Sequence, residues 1–131
     1  MLIEKTTEES VKALGRHILV EAFDCDSNSL NDTQLLRTML LYAAKEANMT
    51  VCGEVFHKFS PHGVTGVVVV KESHISIHTW PEYGYASIDI FTCGNYSNPW
   101  KAYQYIVETL KPKRIQVIEL KRGILKREVK R

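Results

Sequence analysis

Ser73, His78 and Cys93 stand within one stretch, residues 72–94, that reads Glu-Ser-His-Ile-Ser-Ile-His-Thr-Trp-Pro-Glu-Tyr-Gly-Tyr-Ala-Ser-Ile-Asp-Ile-Phe-Thr-Cys-Gly. They supply a hydroxyl nucleophile, a base and a thiol acid. An imidazole suits the base role because its unperturbed pKa of about 6.5 lies near working pH. A serine hydroxyl is a poor nucleophile until geometry and a base assist it. The same residues also admit a Cys-His hydrolase or transferase, with Cys93 as nucleophile and His78 as base, and that chemistry leaves the chain intact. Cys25 and Cys52 read as ordinary small apolar residues, and His17, His57 and His62 as structural histidines. His74 matters only because it adjoins the Glu72-Ser73 junction.

Two strands must position these groups. Ile75, Ile77 and Thr79 alternate with Ser76, His78 and Trp80, and Ala86, Ile88, Ile90 and Thr92 alternate with Tyr85, Ser87, Asp89, Phe91 and Cys93. Pro81-Glu82-Tyr83-Gly84 is the turn between them. A hairpin centred between Glu82 and Tyr83 pairs residues whose numbers sum to 165, which sets Cys93 opposite Glu72 and His78 opposite Ser87. On a straight strand Ser73 and His78 are then about 16 Å apart at ~3.3 Å per residue, too far to share one site. Irregular backbone is therefore expected at Lys71–Ser73, a turn or kink in place of ladder pairing.

The remaining elements follow from periodicity. Residues 1–14 read as a polar lead, and a first strand runs from Gly15 to Cys25. Asn31-Asp32 caps a helix of roughly residues 32–47, whose Leu35, Leu36, Met39, Leu40 and Ala43 recur every 3.6 residues. A strand from Thr50 to Phe59 is followed by the turn Ser60-Pro61-His62-Gly63. Val67–Val70 is a β-branched run of the kind buried on both faces. Asn98-Pro99 opens a second helix that ends near Leu110, and Arg114–Leu120 is a last strand. The order predicts an α+β fold: a two-layer sandwich of a mostly antiparallel sheet with two helices on one face. The other face has no helix left to cover it, so either water or a second copy lies against it.

At 131 residues the chain makes a single domain, 1–131, with 44% apolar and 24% charged residues. No apolar run approaches the ~20 residues of a membrane span, and Leu2-Ile3 is followed at once by charge, so neither membrane insertion nor a signal peptide is expected. Three widely spaced cysteines without a CxxC pair argue against a disulfide frame or a metal site and fit a cytoplasmic location. Residues 1–110 carry 8 basic and 13 acidic side chains, whereas residues 111–131 carry 9 basic and 2 acidic. The basic tail raises an RNA-binding module as an alternative. Without an aromatic platform or RNA motif beside it, a solvated last strand and terminus is the better reading, with no nucleic-acid partner.

Glu72-Ser73-His74, His78 to Tyr85 and Phe91-Thr92-Cys93-Gly94 resemble the self-cleavage region of the short prokaryotic S-adenosylmethionine decarboxylase proenzymes, and looser similarity extends from Gly15-Arg16-His17 to about Lys113. The resemblance implies autocatalytic cleavage between Glu72 and Ser73, leaving a 1–72 chain and a 73–131 chain headed by a pyruvoyl group made from Ser73. That covalent cofactor condenses with the substrate amine and does the electron-sink work of pyridoxal phosphate, so neither pyridoxal phosphate nor a metal is needed. By resemblance, His78 takes the Ser73 α-proton during processing, and Cys93 is the proton donor in catalysis. Phe59 stacks on adenine, Glu82 binds the ribose hydroxyls, and Thr65 stands where a hydroxyl residue assists processing. The substrate implied is S-adenosylmethionine, decarboxylated to the aminopropyl donor for spermidine, in a homodimer with its sites at or near the subunit contact. Arginine, decarboxylated by some archaeal members of the fold family, is the alternative substrate.

Overall fold

The computed structural model describes residues 13–125. Its strands are β1 (Ala13–Phe23), β2 (Val51–Lys58), β3 (Val64–Val70), β4 (Ser73–Trp80), β5 (Tyr85–Cys93) and β6 (Arg114–Ile124). Its helices are α1 (Ser27–Leu30), α2 (Thr33–Glu46) and α3 (Pro99–Leu110), with a single 3-10 turn at Pro81–Tyr83. The strands form one antiparallel sheet in the order β2-β3-β4-β5-β1-β6. The α+β sandwich expected from the periodicity is therefore the observed architecture. Residues 1–12 of the polar lead and 126–131 of the basic tail lie outside the described residues. No helix among the described residues is long and apolar enough to cross a membrane.

Local chemistry sets each helix end. The Asp32 carboxylate accepts from Leu35 N at 3.0 Å, satisfying a backbone donor that the first turn of α2 leaves free. Asn98 does the same for Trp100 N at 3.2 Å, with Pro99 in the first turn of α3, where a missing N–H costs nothing. The apolar stripes then meet the sheet: Leu36, Met39, Leu40, Ala43 and Ala44 of α2 and Ala102, Ile106 and Leu110 of α3 are buried together with Ile18, Val20, Val68, Ile75, Ile77, Ile88 and Ile90. The short α1 was not apparent from periodicity, since four residues hold one turn. It is marked by the Asp26 cap onto Ser29 N and by buried Leu30.

Among the described residues, only one face of the sheet is covered. Along β3 burial alternates, and Val69 is exposed. This corrects the expectation that Val67–Val70 is buried on both sides. The same face carries Val55 on β2 and Ile118 and Leu120 on β6, all exposed. A β-branched run suits any pleated surface, so its composition does not reveal how many layers pack on it.

Candidate active site

The Glu72-Ser73 junction sits at the tip of the β3–β4 hairpin. Val70 pairs with Ser73, so Lys71 and Glu72 form a two-residue turn. The irregular backbone expected at Lys71–Ser73 is observed as that turn, with Ser73 following it at a φ of 159°. Ser73 stays in the ladder, pairing with Val70 and Thr92, because so short a loop lets pairing close up to it. The register of β4 and β5 has the expected sum, with Ser73 opposite Thr92 and His78 opposite Ser87.

Three hydrogen bonds clamp the tip. Lys71 N donates to Thr50 O at 2.8 Å, Thr50 N donates to Glu72 Oε1 at 3.0 Å, and Cys93 N donates to Glu72 O at 2.9 Å. The last is chemically pointed. The Glu72 carbonyl precedes Ser73, and an N–H already aimed at its oxygen stabilises the negative charge that nucleophilic attack would put there. Cys93 is exposed and alternates with buried Thr92, so its side chain belongs to the uncovered face together with those of Phe91 and Asp89. Ser73, by register with Thr92, belongs to the helix-side set.

A second cluster lies at the other end of β4. Phe59, Thr65, His78 and Glu82, joined by His62 and Trp80, line a cleft of about 320 Å³. Thr65 Oγ1 is 3.0 Å from His78 Nδ1, since register sets the two residues opposite one another. The cleft wall is anchored beneath by Thr79, whose hydroxyl donates to Leu30 O at 2.8 Å and accepts from Val64 N at 2.9 Å. His62, read as structural from the sequence, thus lines this cleft, and Thr79 and Asn31 support it. No spacing marked them, because their partners come from distant segments.

A third group borders the junction on the uncovered face. His17 Nε2 is 2.8 Å from Asp89 Oδ1, and Arg122 reaches His17 Nδ1 at 3.1 Å. Arginine only donates, so Nδ1 accepts and the Nε2–H donates to Asp89. The His17 and His74 rings both approach Phe91, two residues from Cys93. Among the described residues no group of three or more His, Cys, Asp or Glu side chains is arranged to hold a metal ion. Cys25 is buried, which together with the Asp24 charge pushes its thiol up to about 11 and leaves it unreactive.

The structure therefore gathers Phe59, Thr65, His78 and Glu82 at one end of β4 and Glu72, Ser73 and Cys93 at the other. Within one protomer the two sets are separated by about 16 Å of straight strand.

Residues 16–123 match the family model described as S-adenosylmethionine decarboxylase. The chain is 50% identical over 113 residues to the S-adenosylmethionine decarboxylase proenzyme of Thermotoga petrophila, covering 86% of this chain and 87% of that one. It is 50% identical over 120 residues to the proenzyme of the same name from Acetivibrio thermocellus, covering 92% and 97%. The crystal structure of the adenosylmethionine decarboxylase from Aquifex aeolicus VF5 superposes with a TM-score of 0.86 at 42% identity, over 92% of this chain and 99% of that one. A match spanning most of the chain in sequence and in fold places this protein in the S-adenosylmethionine decarboxylase family.

Proposed function

We propose that the chain is a proenzyme that cuts itself between Glu72 and Ser73 and then decarboxylates S-adenosylmethionine to the aminopropyl donor for spermidine synthesis. The observation that carries this reading is the Glu72 carbonyl, held at the tip of a clamped turn with the Cys93 N–H on its oxygen. Ser73 Oγ attacks that carbonyl, the C–N bond breaks, and the amide becomes an ester with a free amine on residue 73. Loss of the residue 73 α-proton to a base then expels the Glu72 carboxylate by β-elimination. The dehydroalanine left behind tautomerises and takes up water, releasing ammonia and leaving a pyruvoyl group. The residues present fit that precursor: the scissile carbonyl has its donor, and Ser73 immediately follows the turn.

A pyruvoyl carbonyl supplies the electron sink that a departing α-carboxylate requires. The chain's own groups do the rest. Cys93, exposed beside the junction, holds the proton destined for the substrate α-carbon. Phe59 offers a flat face to a purine, and the Glu82 carboxylate accepts from vicinal hydroxyls. His78, with Thr65 on its Nδ1, is the base of processing.

These roles require the two ends of β4 to meet, and a two-fold dimer packed through the uncovered face is the arrangement that brings them together. With the two-fold axis perpendicular to β4, the cleft of one protomer lies against the junction of the other. The exposed Val55, Val69, Ile118 and Leu120 on that face supply apolar area for the contact.

Denaturing mass spectrometry tests the cleavage. The wild-type chain is expected as two fragments meeting at residues 72/73, and Ser73→Ala as one unbroken, inactive species. An intact wild-type chain that turns over substrate would sink the mechanism. Carbon dioxide release from S-adenosylmethionine and from arginine decides between the two substrates.

A further inference from the structure

Glu82 has a neighbour that none of these roles uses. His62 Nε2 lies 3.1 Å from Glu82 Oε2, in a contact where the ring N–H must donate because a carboxylate only accepts. The two side chains are 36% and 38% exposed, so each is open to a ligand in the cleft they both line.

Their placement is built by the turns that carry them. The turn holding His62 is closed by Phe59 N donating to Gly63 O at 2.8 Å, and tied to the start of α2 by Gly63 N donating to Asn31 Oδ1 at 2.9 Å. Gly63 has a φ of 109°, and a Cβ there would stand 3.2 Å from Thr79 O, so only glycine allows this approach. Glu82 rides on the 3-10 turn, pinned by Cys25 N donating to Gly84 O at 2.9 Å. Two independently anchored turns thus deliver an imidazole to one oxygen of a cleft carboxylate.

We propose that His62 is a positioning and specificity residue for substrate binding: it fixes Glu82 Oε2 and leaves Oε1 free to accept from a vicinal diol. The inference rests on reading Glu82 as the ribose-binding carboxylate. With one oxygen already engaged by a donor, the carboxylate is a poor partner for a guanidinium, which binds best through two parallel hydrogen bonds. A neutral diol needs no such fork. The His62–Glu82 pair therefore selects a nucleoside over an arginine-like substrate.

The test uses full-length His62→Ala and His62→Gln chains, with self-cleavage at 72/73 as the control for folding. Both variants are expected to cleave completely. His62→Ala should raise KM for S-adenosylmethionine about tenfold with kcat within about twofold of wild type, because a hydrogen bond to a charged group is lost from binding alone. His62→Gln, whose amide N–H can still donate to Glu82, should return KM to within about threefold. A KM unchanged in His62→Ala, or a His62→Gln chain as impaired as His62→Ala, overturns the proposal. Failure of the parent reading looks different: the wild-type chain itself would remain uncut, or would release no carbon dioxide from S-adenosylmethionine.

Discussion

The hydroxyl of Thr65 sits against one nitrogen of His78 and leaves the other free to handle a proton. If His78 is the processing base, Thr65→Val should slow the appearance of the two fragments about tenfold, while Thr65→Ser should mature at near the wild-type rate. The time course by denaturing gel checks both. His78→Ala should stall processing altogether, and added hydroxylamine should release the trapped ester. Cys93→Ala, where it matures, should lose turnover, and full activity in that variant would remove the thiol from the mechanism. A separate prediction concerns Cys25, whose raised pKa keeps it a protonated, buried thiol. Alkylation of the folded protein at mildly alkaline pH should mark exposed Cys52 and Cys93 and spare Cys25 until the chain is denatured. At this scale the proposed nucleophile, Ser73, and its flanking motif were legible because they are contiguous. His62 was not, since its meaning comes from Glu82, twenty residues away in sequence and 3.1 Å away in space.

Glu119 joins three elements. It accepts from Arg16 on β1 at 3.0 and 3.2 Å and from Trp100 on α3 at 2.6 Å, from its own place on β6. The Arg16 hydrogen bonds hold its carboxyl below the usual range, burial opposes them, and Trp100 adds to the lowering. Because the folded pKa lies below the unfolded one, this stability is present above the ordinary carboxylate range and lost as pH falls through the folded value. Glu119→Gln should therefore cost about 1 kcal/mol at neutral pH, and the gap in Tm between variant and wild type should narrow in acid. An equal gap at both pH values would mean that packing, not charge, holds the joint. The elements themselves were largely readable. The β4–β5 register followed from one turn, and the α3 start from Asn98-Pro99. The single face buried by β3 was not, because β-branched residues satisfy both a two-sided and a one-sided sheet.

For the whole molecule, the proposed dimer, with cleft and junction at opposite ends of β4, has a genetic test. Ser73→Ala and His78→Ala chains should each stay uncut alone. Co-expressed, they should form a mixed dimer in which the His78→Ala chain is cleaved, its own serine served by the other subunit's histidine. Absence of that fragment would confine each site to one protomer. If the proposed dimer packs through the exposed face, Ile118→Glu there should shift the protein toward a monomer by sedimentation and slow self-cleavage with it. The α+β architecture and the kinship of the chain were legible in the sequence alone, because periodicity, turn residues and a contiguous motif are local properties. Only the tertiary structure decided that the Glu72 carbonyl has its donor in Cys93 N–H, that Phe59, His62, Thr65, His78 and Glu82 share one cleft, and that this cleft lies a strand's length from Ser73. The physical reason is that register between strands and the meeting of separate turns are set by packing and hydrogen bonding across the sheet, which no local pattern encodes.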